Sequence, residues 1–284
     1  MTEWREWPSW RRLSAIARVP DQGAAAIGSL AAGAFIELVE GLAAYRPDAY
    51  PAAVLDIADE ILERQPTMAP LMTLVNAIHL TVDDGPRRLV SELRSIERRA
   101  ARSTALLGRI GAGLIEPGAS VLTVGGSGSV RAVLVEAGSH RRVFVSCVAT
   151  MPSGEGVELA ADLAGAGVPV EVVSDEEAVE AVGGVDLVLT GATSVGPEAF
   201  TNAPGTGAVI QAAADHGLPR HLVVSIEKAL PAPLFSRAVA ARGAATDEVP
   251  LGLLTSVVTE LGPLDPRALG KLAAEREVAP RLAG

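Results

Sequence analysis

Apolar residues recur at helical spacing over the first 115 residues and at strand-like spacing afterwards. Trp4, Trp7 and Trp10 stand three apart with charges between them, one face of a helix within residues 1–20 that ends at Pro20. Ile27, Leu30, Phe35, Leu38 and Leu42 predict a helix over 23–44, with Pro47 and Pro51 as breakers. Val54, Leu55, Ala58, Ile61 and Leu62 predict another over 52–64. Pro66 and Pro70 mark a loop, 71–82 reads as helix and 83–86 as a turn. Leu89, Leu93, Ile96 and Ala100 carry a long helix over 87–115.

At Pro117-Gly118 the period changes. Apolar runs at 121–124, 143–148, 168–173, 185–190 and 221–226 alternate with helical stretches at 130–138, 154–166, 175–182 and 206–216. That alternation predicts an α/β fold: a helical N-terminal domain over 1–115, then a Rossmann-like, doubly wound and mostly parallel sheet over 116–284. Ligands of such sheets bind beyond the carboxyl ends of the strands. The loops gathered there are 125–129, 149–153, 174–175, 191–196 and 225–228.

The first of these loops is the most distinctive. Val121, Leu122 and Val124 lead into Gly125, Gly126, Ser127, Gly128 and Ser129, and a helix follows from about Val130. A strand, a glycine turn and a helix N-terminus offer unpaired N–H groups and a favourable dipole to an anion. A nucleotide, a sugar phosphate or a plain tight turn would each use it. The dinucleotide pattern fails, because Arg131 occupies the third glycine position and the next strand ends in Ala149 rather than an acid. No Gly-Lys-Ser/Thr follows, so a Walker loop fails too. No cofactor is expected.

Composition narrows the picture further. The 284 residues are 49% hydrophobic but only 3% aromatic, which suits sheet strands covered on both faces. A net charge of −10 argues against electrostatic binding to nucleic acid. The one basic cluster, Arg87, Arg88, Arg94, Arg98, Arg99 and Arg102, reads as a solvated helix face. The lone Cys147 excludes an internal disulfide and a cysteine-based metal site, and the four histidines form no H-x-x-x-H, so no metal is expected. Cys147 lies within an apolar strand and reads as core. No signal core is visible at the N-terminus and no charge-free apolar run of 18 residues is visible, which predicts a soluble, cytoplasmic protein without membrane contact.

Several motifs in order carry a resemblance: Pro66-Thr-Met-Ala-Pro70, Val121-Leu-Thr123, Ala149-Thr-Met-Pro152, Asp186-Leu-Val-Leu-Thr-Gly-Ala192, Asn202-Ala-Pro-Gly-Thr206 and Thr259-Glu-Leu-Gly262. The chain resembles, most clearly over 66–262, the family that unites the alpha, beta and delta subunits of eukaryotic translation initiation factor 2B with methylthioribose-1-phosphate and ribose-1,5-bisphosphate isomerases. The resemblance implies a helical domain on a Rossmann-like domain and a dimer or larger assembly. It also exposes departures. The isomerases' Thr-His-Cys matches Thr123, Val124 and Gly125, and the aspartate of their Gly-Ala-Asp matches Thr193. The arginine of Thr-Arg-Pro matches Met151, and the lysine of Asn-Lys-x-Gly-Thr matches Ala203. An Arg-Gly-Ala element matches Gln22-Gly23-Ala24. Lys228 matches a family lysine while Ser225 stands for the family's glutamate; Glu260 and Asp175 also match.

Gly125 and Thr193 cannot move protons as a thiol and a carboxyl do. Met151 and Ala203 remove the cations a phosphate dianion wants. What remains is neutral: the glycine/serine turn, Thr150, Thr193, Asn202, Gly205 and Thr206, with Lys228 placed either to meet an anion or to pair with an acid such as Glu227. Asp175 reads as a helix cap. The expected protein is a non-catalytic, initiation factor 2B-like homodimer that binds a small polar or phosphorylated metabolite in a regulatory or scaffolding role. The alternatives are a sugar-phosphate isomerase with a rebuilt site, or a purely structural subunit.

Overall fold

The computed structural model describes residues 3–16 and 24–283. Five helices come first: α1 (Pro8–Ile16), α2 (Ala24–Tyr45), α3 (Tyr50–Arg64), α4 (Ala69–Thr81) and α5 (Pro86–Ala112). No strand precedes residue 120 among the described residues. The alternation then runs β1 (Ser120–Val124), α6 (Gly128–Arg141), β2 (Phe144–Val148), α7 (Glu155–Gly165), β3 (Val170–Val173), α8 (Ala178–Ala181) and β4 (Leu187–Thr190).

Two of the expected helix breakers are helix starters. Pro51 and Pro70 sit in the first turns of α3 and α4, where the missing N–H would have no helical partner anyway. Helix α2 holds a 20-residue stretch, Ala26–Tyr45, that is long and apolar enough to cross a membrane by length and composition, although Glu37 and Glu40 interrupt it. Its Phe35, Leu38 and Leu42 are fully buried among α1, α3, α4 and α5, while Glu37 and Glu40 face solvent, so it serves as a core helix.

The rest of the chain holds β5 (Ser194–Val195), β6 (Ala199–Asn202), α9 (Thr206–Asp215), β7 (Arg220–Val223), α10 (Ala232–Arg242), β8 (Asp247–Pro250), β9 (Ser256–Thr259), β10 (Gly262–Leu264) and α11 (Pro266–Glu275). Of these, only α9 and β7 were expected. Seven strands form the main sheet in the order β10-β9-β7-β4-β1-β2-β3, parallel except for β10 on β9. A second sheet, β5-β6-β8, is antiparallel. Asn202 ends β6, and the segment it begins leads into α9 at Thr206, as expected.

The parallel strands run outwards from β1 in both directions, β2 and β3 one way, β4, β7 and β9 the other. The order therefore reverses between β1 and β4, and the loops after those two strands flank the crevice where doubly wound sheets bind ligands. One sheet face is covered by α6 and α7 together with the end of α5, through Leu107, Val130, Leu134, Cys147 and Leu159. The other is covered by α9 and α11 through Phe200, Ile210 and Leu269. Helix α5 thus starts against α2 and finishes against α6, so the helical layer and the sheet share one long element.

Candidate ligand site at the strand-order reversal

The first two backbone donors of the glycine turn are taken by the protein's own side chains. Gly125 turns with φ 82°, a left-handed conformation that glycine adopts freely. Its N–H donates to Thr150 Oγ1 at 3.2 Å, and Gly126 N–H donates to a Glu155 carboxylate oxygen at 3.3 Å. Ser127 caps α6, its hydroxyl accepting from Val130 N–H. Gly128 and Ser129 N–H keep no partner among the described residues, and the position of a Gly128 Cβ is open space. The opposing loop fits tightly: a Cβ on Gly191 would stand 2.4 Å from Ser127 Cβ and Oγ.

Thr150 is fully buried and has φ 60°, an uncommon conformation for a β-branched residue and one that costs on the order of 1–3 kcal/mol. Asp175 holds it there. Its carboxylate accepts from Thr150 N–H at 3.0 Å and Met151 N–H at 2.9 Å. Asp175 is therefore not a helix cap. Capping at this turn is done by Ser174 and Glu177, whose side chains bond each other at 2.7 Å and reach each other's backbone N–H.

Asn202 is a buried hub. Its amide nitrogen donates to Val124 O, Thr190 Oγ1 and Thr206 Oγ1 within 3.2 Å, which ties the ends of β1, β4 and α9 together. Thr206 donates in turn to Ala203 O. Gly205 supplies the left-handed turn, φ 88°, that leads into α9. Thr193 lies half-buried just beyond β4, its N–H on Thr201 O at 2.7 Å. Lys228 reaches the same place from the end of β7, its ammonium donating to Ala192 O at 2.6 Å. The structure so gathers the sequence-predicted residues around one crevice, but it turns Asn202, Thr150 and Thr206 into framework. Gln22 and Gly23 lie outside the described residues.

A second cluster at the same sheet edge was not anticipated. Glu227, nearly fully buried, pairs with Arg99 Nε of α5 at 2.7 Å, and its other carboxylate oxygen has no hydrogen-bond partner. Glu260 accepts from Ile226 N–H, and Arg276 donates to Ile226 O at 2.8 Å. Burial pushes the Glu260 carboxyl above the usual carboxylate range, against the lowering effect of those N–H bonds. Thr73 of α4 donates to Glu227 O. Arg99 is therefore not part of a solvated face. It follows Ile96 by three and Leu93 by six, on the flank of the buried stripe, and that spacing was the available signal.

Cys147 is buried beside Thr123 in the β1–β2 register, and burial pushes its thiol up to about 12. Thr123 Oγ1 is itself buried without a partner.

The family model described as "Initiation factor 2 subunit family" matches residues 21–234. A methylthioribose-1-phosphate isomerase of Anaeromyxobacter sp. is 28% identical over 289 residues, spanning 88% of this chain and 83% of its own. A translation initiation factor eIF-2B subunit 2-like protein of Pyrococcus horikoshii is 25% identical over 256 residues, spanning 85% of this chain and 90% of its own. The crystal structure of the Pyrococcus horikoshii OT3 translation initiation factor eIF-2B superposes with a TM-score of 0.76 at 22% identity, over 92% of this chain and 98% of that one.

Proposed function

The chain belongs to the initiation factor 2 subunit family, and on that premise we propose that it binds a small polar metabolite at the β1/β4 crevice as a regulatory or scaffolding protein, not as an isomerase. The observation that carries this reading is Glu155. Its carboxylate already accepts from the glycine turn, beside the open Gly128 and Ser129 N–H groups, so a phosphate dianion there would meet a like charge. Met151 and Ala203 supply no cation to offset it. Gly125 and Thr193 supply no proton-moving group, and Cys147 is a buried neutral thiol. The ligand that fits is neutral or weakly anionic and rich in hydroxyls, held by donors contributing about 0.5–1.5 kcal/mol each.

The assembly in this reading is a cytoplasmic homodimer joined through the sheet region, with the helical region before about residue 115 left to meet partners. Phe144 and Val172 of β2 and β3 are about half-exposed, which suits such a contact. The rebuilt-isomerase alternative draws on one observation, the raised pKa of Glu260 at the same sheet edge as Lys228.

A thermal-shift panel of uncharged sugars, sugar monophosphates and methylthioribose-1-phosphate separates the two, run beside an isomerisation assay. Stabilisation by an uncharged or singly charged compound without turnover is expected. Gly128→Asp adds charge where there is room for it and is expected to abolish that stabilisation with the fold intact. Turnover of methylthioribose-1-phosphate that Glu260→Gln abolishes would establish the alternative instead.

A further inference from the structure

The seam between α2 and α5 carries a groove unrelated to the crevice. The helices pack antiparallel, with Glu40 of α2 bonded to Arg94 of α5 at 2.8 Å. A cavity of about 690 Å³ lies along this seam, with Ala43, Ala44 and Val90 as an apolar floor and Arg87, Arg94 and Arg98 on the rim. All three arginines are exposed, and neither Arg87 nor Arg98 makes an ion pair among the described residues. Helix α5 carries seven arginines and two glutamates in a chain whose net charge is −10, so its charge is opposite to that of the molecule.

Spacing identifies the occupant. Arg87 and Arg98 stand eleven residues apart on one helix, about 16 Å of rise at roughly 1.5 Å per residue. One phosphate or carboxylate cannot meet both. A polynucleotide could, but the groove presents no aromatic side chain on which bases would stack, and its floor of two alanines and a valine suits aliphatic side chains. An amphipathic helix with acidic residues spread over three turns satisfies both features, laying small aliphatic residues on the floor and carboxylates on the rim.

We propose that the α2–α5 groove docks an acidic amphipathic helix of a partner protein. This inference stands apart from the metabolite reading, since no residue is shared between the two sites.

The test uses a fluorescein-labelled 18-residue peptide of Glu, Ala and Leu at helical spacing, a scrambled peptide of the same composition, pyrophosphate and a 20-nucleotide single-stranded DNA. Anisotropy should show saturable binding of the amphipathic peptide, weaker at high salt. The triple variant Arg87→Glu, Arg94→Glu and Arg98→Glu should weaken it tenfold or more. Ala44→Trp, which fills the groove at an exposed position and leaves the charge unchanged, should also weaken it tenfold, so the test does not rest on the triple variant alone. Equal binding of the scrambled peptide, displacement by pyrophosphate, tighter binding of the DNA, or full affinity in Ala44→Trp would each overturn the proposal.

Discussion

The two ends of the sheet's carboxyl edge are built differently. At the β1/β4 reversal, glycines, serines, threonines and one asparagine form a neutral lattice, and the charges present, Glu155, Asp175 and Lys228, are turned to the protein's own backbone groups. At the ends of β7 and β9, Arg99, Glu227, Glu260 and Arg276 gather around Ile226 and clamp α4 and α5 to the sheet. The difference teaches that charge at this edge follows architecture. At Met151 and Ala203, where the resemblance places an arginine and a lysine for a phosphate, the chain has no cation, and its buried ions stand where the helical layer meets the strands.

Breaking the ionic end should have the largest effect. Glu227→Ala leaves Arg99 without its carboxylate and should cost about 2–3 kcal/mol by denaturant unfolding, less than a fully buried pair because Arg99 is about a third exposed. Glu227→Ala with Arg99→Met should recover part of that loss; a double variant no more stable than the single one would show that the pair is not the clamp.

The neutral end should respond to volume instead. Gly191→Ala forces a Cβ to within 2.4 Å of Ser127 and should cost about 1–3 kcal/mol, with Ser127→Gly restoring stability. A weaker loss of similar kind is expected from Asp175→Ala, on the order of 1–2 kcal/mol, because it leaves the Thr150 and Met151 N–H groups unmatched and releases a strained Thr150. Hydrogen exchange at Thr150 and Met151 checks this. Unchanged protection there would place the restraint elsewhere.

The smallest effect is a pH dependence. Burial raises the Glu260 pKa in the folded state, so between about 4.5 and that raised value the folded state holds more protons than the unfolded one. Stability should therefore fall as pH rises through that window, and Glu260→Gln should flatten the profile of melting temperature against pH. A variant profile parallel to that of the unmodified protein would remove Glu260 from the account.

Much of this was legible in the residues. The switch from helical to strand spacing at Pro117-Gly118 located the sheet; β2, β3 and β4 fall within the apolar runs that announced them, and β1 and β7 begin one residue before theirs. Buried parallel strands are continuous apolar stretches, so they read clearly. Strands β5, β6 and β8 did not, because these short antiparallel strands, such as Ala199–Asn202 and Asp247–Pro250, mix apolar with polar residues or proline and form no continuous apolar run. Pro51 and Pro70 read as breakers because a proline's effect depends on which turn of the helix it occupies.

For the site, sequence alone determined which chemistry is missing: a residue's identity says outright that Gly125 and Thr193 carry no acid, thiol or cation. Only the tertiary structure decided what the remaining polar groups do. Asp175 could cap a helix or hold the loop 24 residues back, Arg99 could face water or Glu227, and Asn202 could meet a ligand or brace three elements. Hydrogen bonds and ion pairs are short-ranged, so their partners are set by which segments the packed core brings within about 3 Å, and no local pattern contains that distance.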